Sequence, residues 1–311
     1  MSAPSVLFDA PGPKARRLSM ILSIGALVLL IGGAVWLVLT LAAPRDSGGI
    51  TLPGMFDGTR WNIFADPQVW SFILEGVVAT LQAAAIAAVG AIILGIVLSL
   101  MRSSKIAWVR TPTAVLIEFF RGMPVLLMML FILLVASTGA FWAVVIALIL
   151  YNGTLIGEIL RAGLVALPRG QREAALSVGM REFQSKMLVE FPQAFRQMLP
   201  IIIAQLVVLL KDTSLGYIVG YEEIIRKNMN ILGSFYGNRY LFSLFVVTLC
   251  IYLAINLTLS WFARWLARRT ASGGKARRGG KAVNDPTAPG ALLEVEAKAD
   301  QAQAQGRGLA G

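Results

Sequence analysis

Hydrophobic and polar positions alternate along this chain on the scale of whole segments rather than of single turns. Apolar runs occupy residues 20–43, 71–101, 113–137, 141–164, 199–219 and 241–266, with polar stretches between them. Each reaches the roughly 20 residues that a helix needs to cross a bilayer. The pattern predicts an all-α membrane protein with six spans. Residues 1–18 precede the first run as a basic leader containing Lys14, Arg16 and Arg17, expected to be disordered. The run behind it is longer than the roughly 7–15 apolar residues of a signal peptide, so residues 19–43 are read as a retained transmembrane helix. Residues 44–70 are rich in glycine, proline and aspartate and read as an extracytoplasmic loop.

The later runs are individually marked. Residues 71–101 carry Gly76, Ala79, Ala83, Ala87, Gly90, Ala91 and Gly95, the small residues that let a membrane helix pack closely against others. The third run opens on polar residues and Gly122-Met123-Pro124, which predicts a kinked or broken entrance. Between the fourth and fifth runs, residues 165–198 form a polar, amphipathic island. Beyond 268 the chain is Gly-, Ala-, Arg- and Lys-rich with little apolar periodicity, and residues 268–311 are expected to be a disordered basic tail.

Composition fits the pattern. Hydrophobic residues make up 57% of the chain and charged ones 14%, with a mean hydropathy of +0.71; soluble domains carry about 25% charge. The net charge of +11 does not point to nucleic acid, because the cations gather between spans. With alternating sides, and counting Arg264 at the end of the last run, 20 Lys and Arg fall on the side of the 165–198 island and 5 on the other. The positive-inside rule then puts both termini and the island in the cytoplasm of a bacterial cell membrane. Cys250 is the single cysteine and there is no histidine, which excludes a disulfide framework, a His- or Cys-based metal site and His-dependent base catalysis.

Six ionisable residues fall inside or at the edges of spans: Glu118, Arg121, Glu158, Arg161, Lys211 and Asp212. Glu118 with Arg121 and Glu158 with Arg161 are three apart, on one helix face each. Lys211 and Asp212 are neighbours that point different ways, and pairing with other helices is expected. Such charges either neutralise one another within the bundle or line a polar path for a zwitterionic substrate, cations facing its carboxylate and acids its ammonium. The sequence leaves both readings open.

The island contains Glu173-Ala174-Ala175, then Gly179 after three residues, then Val189-Glu190-Phe191-Pro192 after nine more. Read physically, small alanines allow close approach to a partner, Gly179 permits a sharp turn, and Pro192 is expected to end the second helix. Leu176, Met180, Phe183 and Met187, at helical spacing, also fit a plain amphipathic surface helix. The arrangement resembles the cytoplasmic EAA loop of ABC importer permeases, with Val189 and Phe191 in place of the usual Ile and Leu. Four further matches narrow the resemblance to the polar amino acid permeases: Thr80-Leu81 with Arg102-Ser103-Ser104, the entrance Glu118 to Pro124, Gly153 to Arg161 followed by Pro168 to Gln171, and the string Leu210 to Leu215. Met123 stands where Thr is usual. The extra first span and leader are similar to those of glutamate-type permeases.

The resemblance implies a type I ABC importer permease: a five-helix core at 71–267 with the EAA loop at 165–198, plus one added N-terminal helix. It implies no catalysis in this chain. ATP and Mg would be bound by a cytosolic ATPase dimer, consistent with the absence of a GxxxxGK[ST] motif here. A second permease, favoured as a homologous heterodimer partner, and an extracytoplasmic solute-binding protein complete the expected assembly. Glu173, Ala174, Ala175, Gly179 and Pro192 would carry the ATPase coupling, and the cargo would be glutamate, glutamine or aspartate. A proton- or sodium-driven amino acid carrier is the competing reading.

Overall fold

The computed structural model describes residues 12–47 and 50–272. Ten α-helices organise them. The first, α1 (Pro13–Ala42), has Pro13 at its first turn, where a missing N–H costs nothing. The helix therefore starts inside the expected leader, and Lys14, Arg16 and Arg17 lie on its first turns rather than in disordered chain; residues 1–11 fall outside the described part. A short antiparallel hairpin follows, β1 (Arg45–Ser47) with β2 (Ile50–Leu52), in the register Arg45 to Leu52. Thr51 donates to Asp46 across it at 2.8 Å.

The hairpin leads through two 3-10 turns into α2 (Pro67–Arg102), which Asp66 caps by accepting from the Gln68 N–H. After a tight corner come α3 (Ala107–Gly122) and α4 (Val125–Ala136), bent by 102° at Gly122–Pro124. The break has a simple cause: Pro124 cannot donate to the preceding turn and sits just before α4 as its cap. Ser137 and Gly139, both with positive φ, turn the chain into α5 (Ala140–Val165), the central helix.

The pair α2 and α5 forms the heart of the bundle, and the small residues explain it. Gly76, Thr80, Ala83, Ala84, Ala87, Ala91 and Gly95 make a buried stripe at spacings of three and four. A Cβ at Gly95 would lie 2.6 Å from the Ile156 side chain, and one at Gly153 would lie 2.8 Å from Leu94. Each helix thus offers a glycine hollow to a large side chain of the other. Such close approach supplies dispersion contacts and lets membrane helices associate where lipid offers no hydrophobic drive.

Beyond α5 lie α6 (Arg169–Ser177) and α7 (Glu182–Gln184); a π-helical turn over Ser185–Glu190 then joins α7 to α8 (Phe191–Asp212). Pro192 does not end a helix here. The extra residue of the π turn shifts the ladder, seen in the Phe191 N–H donating to the Lys186 carbonyl, so that Pro192 falls in the first turn of α8. The fifth run consequently forms a helix that starts eight residues earlier than its apolar pattern suggests and ends in a 3-10 turn over Thr213–Tyr217.

The segment after α8 is far more ordered than loop composition implies. It contains a π turn over Arg226–Leu232, then α9 (Gly233–Tyr236), and it packs back on α2. Tyr221 donates to the Ala79 carbonyl at 2.7 Å, the Ile224 N–H donates to Thr80 at 3.3 Å, and Lys227 pairs with Glu75 at 2.6 Å. The last helix, α10 (Leu241–Ser272), runs past the point where a disordered tail was expected to begin; the tail from 273 onward lies outside the described residues. Five of the helical stretches are long and apolar enough to cross a membrane, or six if α3 and α4 count as one broken span.

Candidate functional site

The EAA-like sequence forms a helix–turn–helix held in one conformation by its own backbone. At the end of α6 the Gly179 N–H donates to the Leu176 carbonyl at 3.0 Å and the Met180 N–H to the Ala175 carbonyl at 3.2 Å. This is a Schellman closure, which requires the left-handed conformation at the residue between them. Gly179 supplies it with φ of +84°, where any side chain would be strained. The next helix is capped in turn, as Gln184 accepts from the Arg181 N–H at 2.9 Å. Glu173 and Ala174 are exposed, whereas Ala175 is 5% exposed and faces inward. Gly179 and Pro192 are also exposed.

The loop is fastened to the corner between α2 and α3 through contacts absent from any motif. Glu182 receives ion pairs from Lys105 and, at 3.0 Å, from Arg172. Lys186 donates to the Ser103 carbonyl at 2.6 Å, and buried Ser185 donates to Glu190 at 3.0 Å. Several large apolar side chains stay uncovered on the loop, with Val178 74% and Phe183 70% exposed.

The six charges singled out from sequence do not form one cluster. Arg161 donates to Glu158 at 2.8 Å, and Arg102 lies 3.9 Å from the same carboxylate, a third partner the spacing could not reveal. Arg121 pairs with Glu118 at 3.4 Å in a largely exposed position on α3. Lys211 and Asp212 differ from expectation: among the described residues neither forms an ion pair with another helix. Lys211 instead borders a cavity of about 270 Å³ shared with Ser214, Thr248 and Tyr252. Since Gly163 meets Met198 and Asn152 meets Gln205, α5 and α8 run antiparallel, and the Glu158 and Lys211 levels are about 16 Å apart along the bundle.

Two polar features escaped sequence reading. Asn152, fully buried, accepts from Gln205 at 2.9 Å between α5 and α8, and nothing in the local pattern pairs two residues 53 apart. Glu223 is buried while its neighbour Glu222 is exposed. Burial raises its carboxyl to about 7, although the N–H groups of Ile225 and Arg226 and the Tyr252 hydroxyl all hydrogen-bond it. Among the described residues no group of acidic, histidine or cysteine side chains could hold a metal ion.

Long apolar helices packed through glycines, a broken third span and an exposed loop between α5 and α8, closed by backbone hydrogen bonds, define a polytopic α-helical membrane protein. The comparisons with known proteins specify it further. Residues 91–272 match the model of the family described as binding-protein-dependent transport system inner membrane component, and the chain belongs to that family. It is 39% identical over 234 residues to the glutamate transport system permease protein GluD of Corynebacterium glutamicum, covering 72% of this chain and 84% of that one. It is 32% identical to the probable glutamine ABC transporter permease protein GlnP of Bacillus subtilis, covering 64% of this chain and 94% of that one. Among solved structures it resembles a chain of an amino acid ABC transporter crystallised with histidines, with 29% identity, a TM-score of 0.59, and coverage of 65% of this chain and 95% of that one. The inward-facing methionine transporter MetNI, at 16% identity and a TM-score of 0.51, shares the fold. The protein is a multi-pass permease subunit of an amino acid ABC importer in the bacterial cell membrane.

Proposed function

We propose that this chain lines the translocation path for an acidic amino acid or its amide, with glutamate foremost, and takes its drive from a separate ATPase through residues 165–198. The observation that carries the coupling is the exposed α6 with its Schellman turn. It presents Glu173 and Ala174 outward on a rigid scaffold, which suits a surface that must transmit motion as a body rather than yield locally. Its partners are an ATPase dimer, which binds ATP and Mg, a homologous second permease and an extracytoplasmic binding protein. The relatives that transport glutamate and glutamine support the substrate class. Lys211 beside Asp212 supports the path, because a cation and an acid at one level, neither ion-paired to another helix among the described residues, suit the two ends of a zwitterion. The topology proposed is six spans with both termini in the cytoplasm, from the charge bias of 20 to 5.

The test is uptake of radiolabelled glutamate by the assembled transporter, comparing wild type with Glu173→Arg and Gly179→Trp at matched membrane levels. Both variants are expected to insert, lose uptake and no longer retain an ATPase on purification. Undiminished uptake without a bound ATPase that collapses with an uncoupler would instead establish an ion-driven carrier.

A further inference from the structure

The loop has a second face, turned toward the bundle, where it closes a strongly basic cavity. A cavity of about 430 Å³ lies where the end of α2, the start of α3, the end of α5 and the π turn before α8 converge. Six cations border it: Arg102, Lys105, Arg110, Arg161, Arg172 and Lys186. Three carboxylates answer them, Glu158, Glu182 and Glu190, so the site holds an excess of positive charge. The Arg110 guanidinium is exposed and makes no ion pair or side-chain hydrogen bond among the described residues. Such an excess in a concave site calls for an anion.

The neighbouring surface says which anion. A second cavity of about 560 Å³ shares Ser103, Ser104, Lys105, Arg172, Lys186 and Glu190 with the first and continues over an apolar wall of Leu100, Met101, Ile106, Val109 and Phe183. Ile106 is 61% exposed, and Trp108, two residues further on and 89% exposed, is the kind of residue that settles at the membrane–water interface. A basic slot opening onto an apolar groove at interface depth matches an anionic phospholipid, phosphate first and acyl chains behind. A free anion has no use for the groove.

We propose that this double cavity is a binding site for an anionic phospholipid, whose phosphodiester bridges Arg110 and Lys105 on the α2–α3 corner to Arg172 and Lys186 on the coupling loop. The bound lipid ties the loop to the bundle, and the transporter thereby senses the anionic lipid content of its membrane. Glu173 and Ala174 border neither cavity, so an ATPase seated on them leaves the site open to lipid.

The test uses the full chain with its co-purified partners in detergent, binding fluorescent phosphatidylglycerol in competition with unlabelled phosphatidylglycerol, phosphatidylcholine and inorganic phosphate. Wild type is expected to prefer phosphatidylglycerol over phosphatidylcholine about tenfold or more. Arg110→Gln with Lys186→Gln should lower that preference at least fivefold, since each cation near an anionic lipid is worth roughly a factor of five. The charge-conserving Arg110→Lys with Lys186→Arg should retain it, and so should Arg45→Gln at the other end of the bundle. If the double variant does not fold, Arg110→Gln alone, at an exposed position, must still show the loss. An unchanged preference in the neutralised variant overturns the proposal. Displacement by inorganic phosphate as effective as by phosphatidylglycerol overturns it too, since the site would then serve a soluble anion.

Discussion

The helices α1 and α5 are both apolar enough to cross a membrane, yet they have opposite fates in this fold. None of the most apolar stretch of α1 is buried, whereas 61% of that of α5 is. The difference does not lie in hydrophobicity. Gly25, Gly32 and Gly33 of α1 have nothing within reach of an added Cβ, while Gly153 and Gly157 of α5 are filled by Leu94 and Leu98. In lipid an apolar side chain gains little by leaving the solvent, so only shape complementarity and buried polar links draw a helix inward. Among the described residues the first helix has neither and is held at its end alone, where Met55 donates to the Leu41 carbonyl at 2.8 Å and Gly54 packs against Ala42.

This contrast can be broken most forcefully at the glycine hollows. Gly95→Leu would drive a side chain into Ile156 and toward the Gly153 carbonyl, and is expected to destabilise the bundle by about 3 kcal/mol or more, read as a lower thermal midpoint of the purified protein. The hook beside α1 comes next. Arg60, 6% exposed, donates to the Pro53 carbonyl at 2.9 Å and to the Arg239 carbonyl at 2.8 Å, tying the hairpin region to the segment before α10. Arg60→Ala should cost about 2–3 kcal/mol and raise hydrogen exchange around residues 53–60 without loosening α5.

A pH titration sharpens the packed side of the comparison. With its carboxyl at about 7, Glu223 stays protonated in the fold while the unfolded chain ionises near its ordinary 4.5. Stability should therefore be greatest below pH 4.5, fall as pH rises toward 7, and level off above it, by on the order of 3 kcal/mol. Glu223→Gln should flatten the profile; an equal slope in that variant would place the titrating group elsewhere. The interhelical link is smaller: Asn152→Ala should cost about 1 kcal/mol, with a double-mutant cycle against Gln205→Ala recovering most of it as coupling. Gly32→Leu on α1 should change stability by no more than about 0.5 kcal/mol, the quiet counterpart of Gly95→Leu.

The coupling loop teaches a related lesson about legibility. Gly179 could be picked out from spacing because a Schellman turn is a local device, decided by a few consecutive residues. Pro192 was placed at a helix end because proline ordinarily stops helices, and the π turn that moves it into the first turn of α8 depends on how Ser185, Lys186 and Glu190 pack. The i, i+3 pairs Glu118–Arg121 and Glu158–Arg161 were readable from helical geometry, but the approach of Arg102 to Glu158 joins two helices and was not.

Segment-scale hydrophobicity, small-residue stripes and breakers such as Pro124 were enough to determine the class of fold, the helices and the loop between α5 and α8, because each acts within a few turns of chain. Contacts between segments far apart in sequence were decided only by the tertiary structure. Among the described residues these include the burial of Glu223 beside an exposed Glu222, the isolation of α1, the lack of an ion-pair partner on another helix for Lys211 and Asp212, and the gathering of six cations into one cavity. Two adjacent acids look alike in sequence; which of them is desolvated depends on the helix that comes to lie against it.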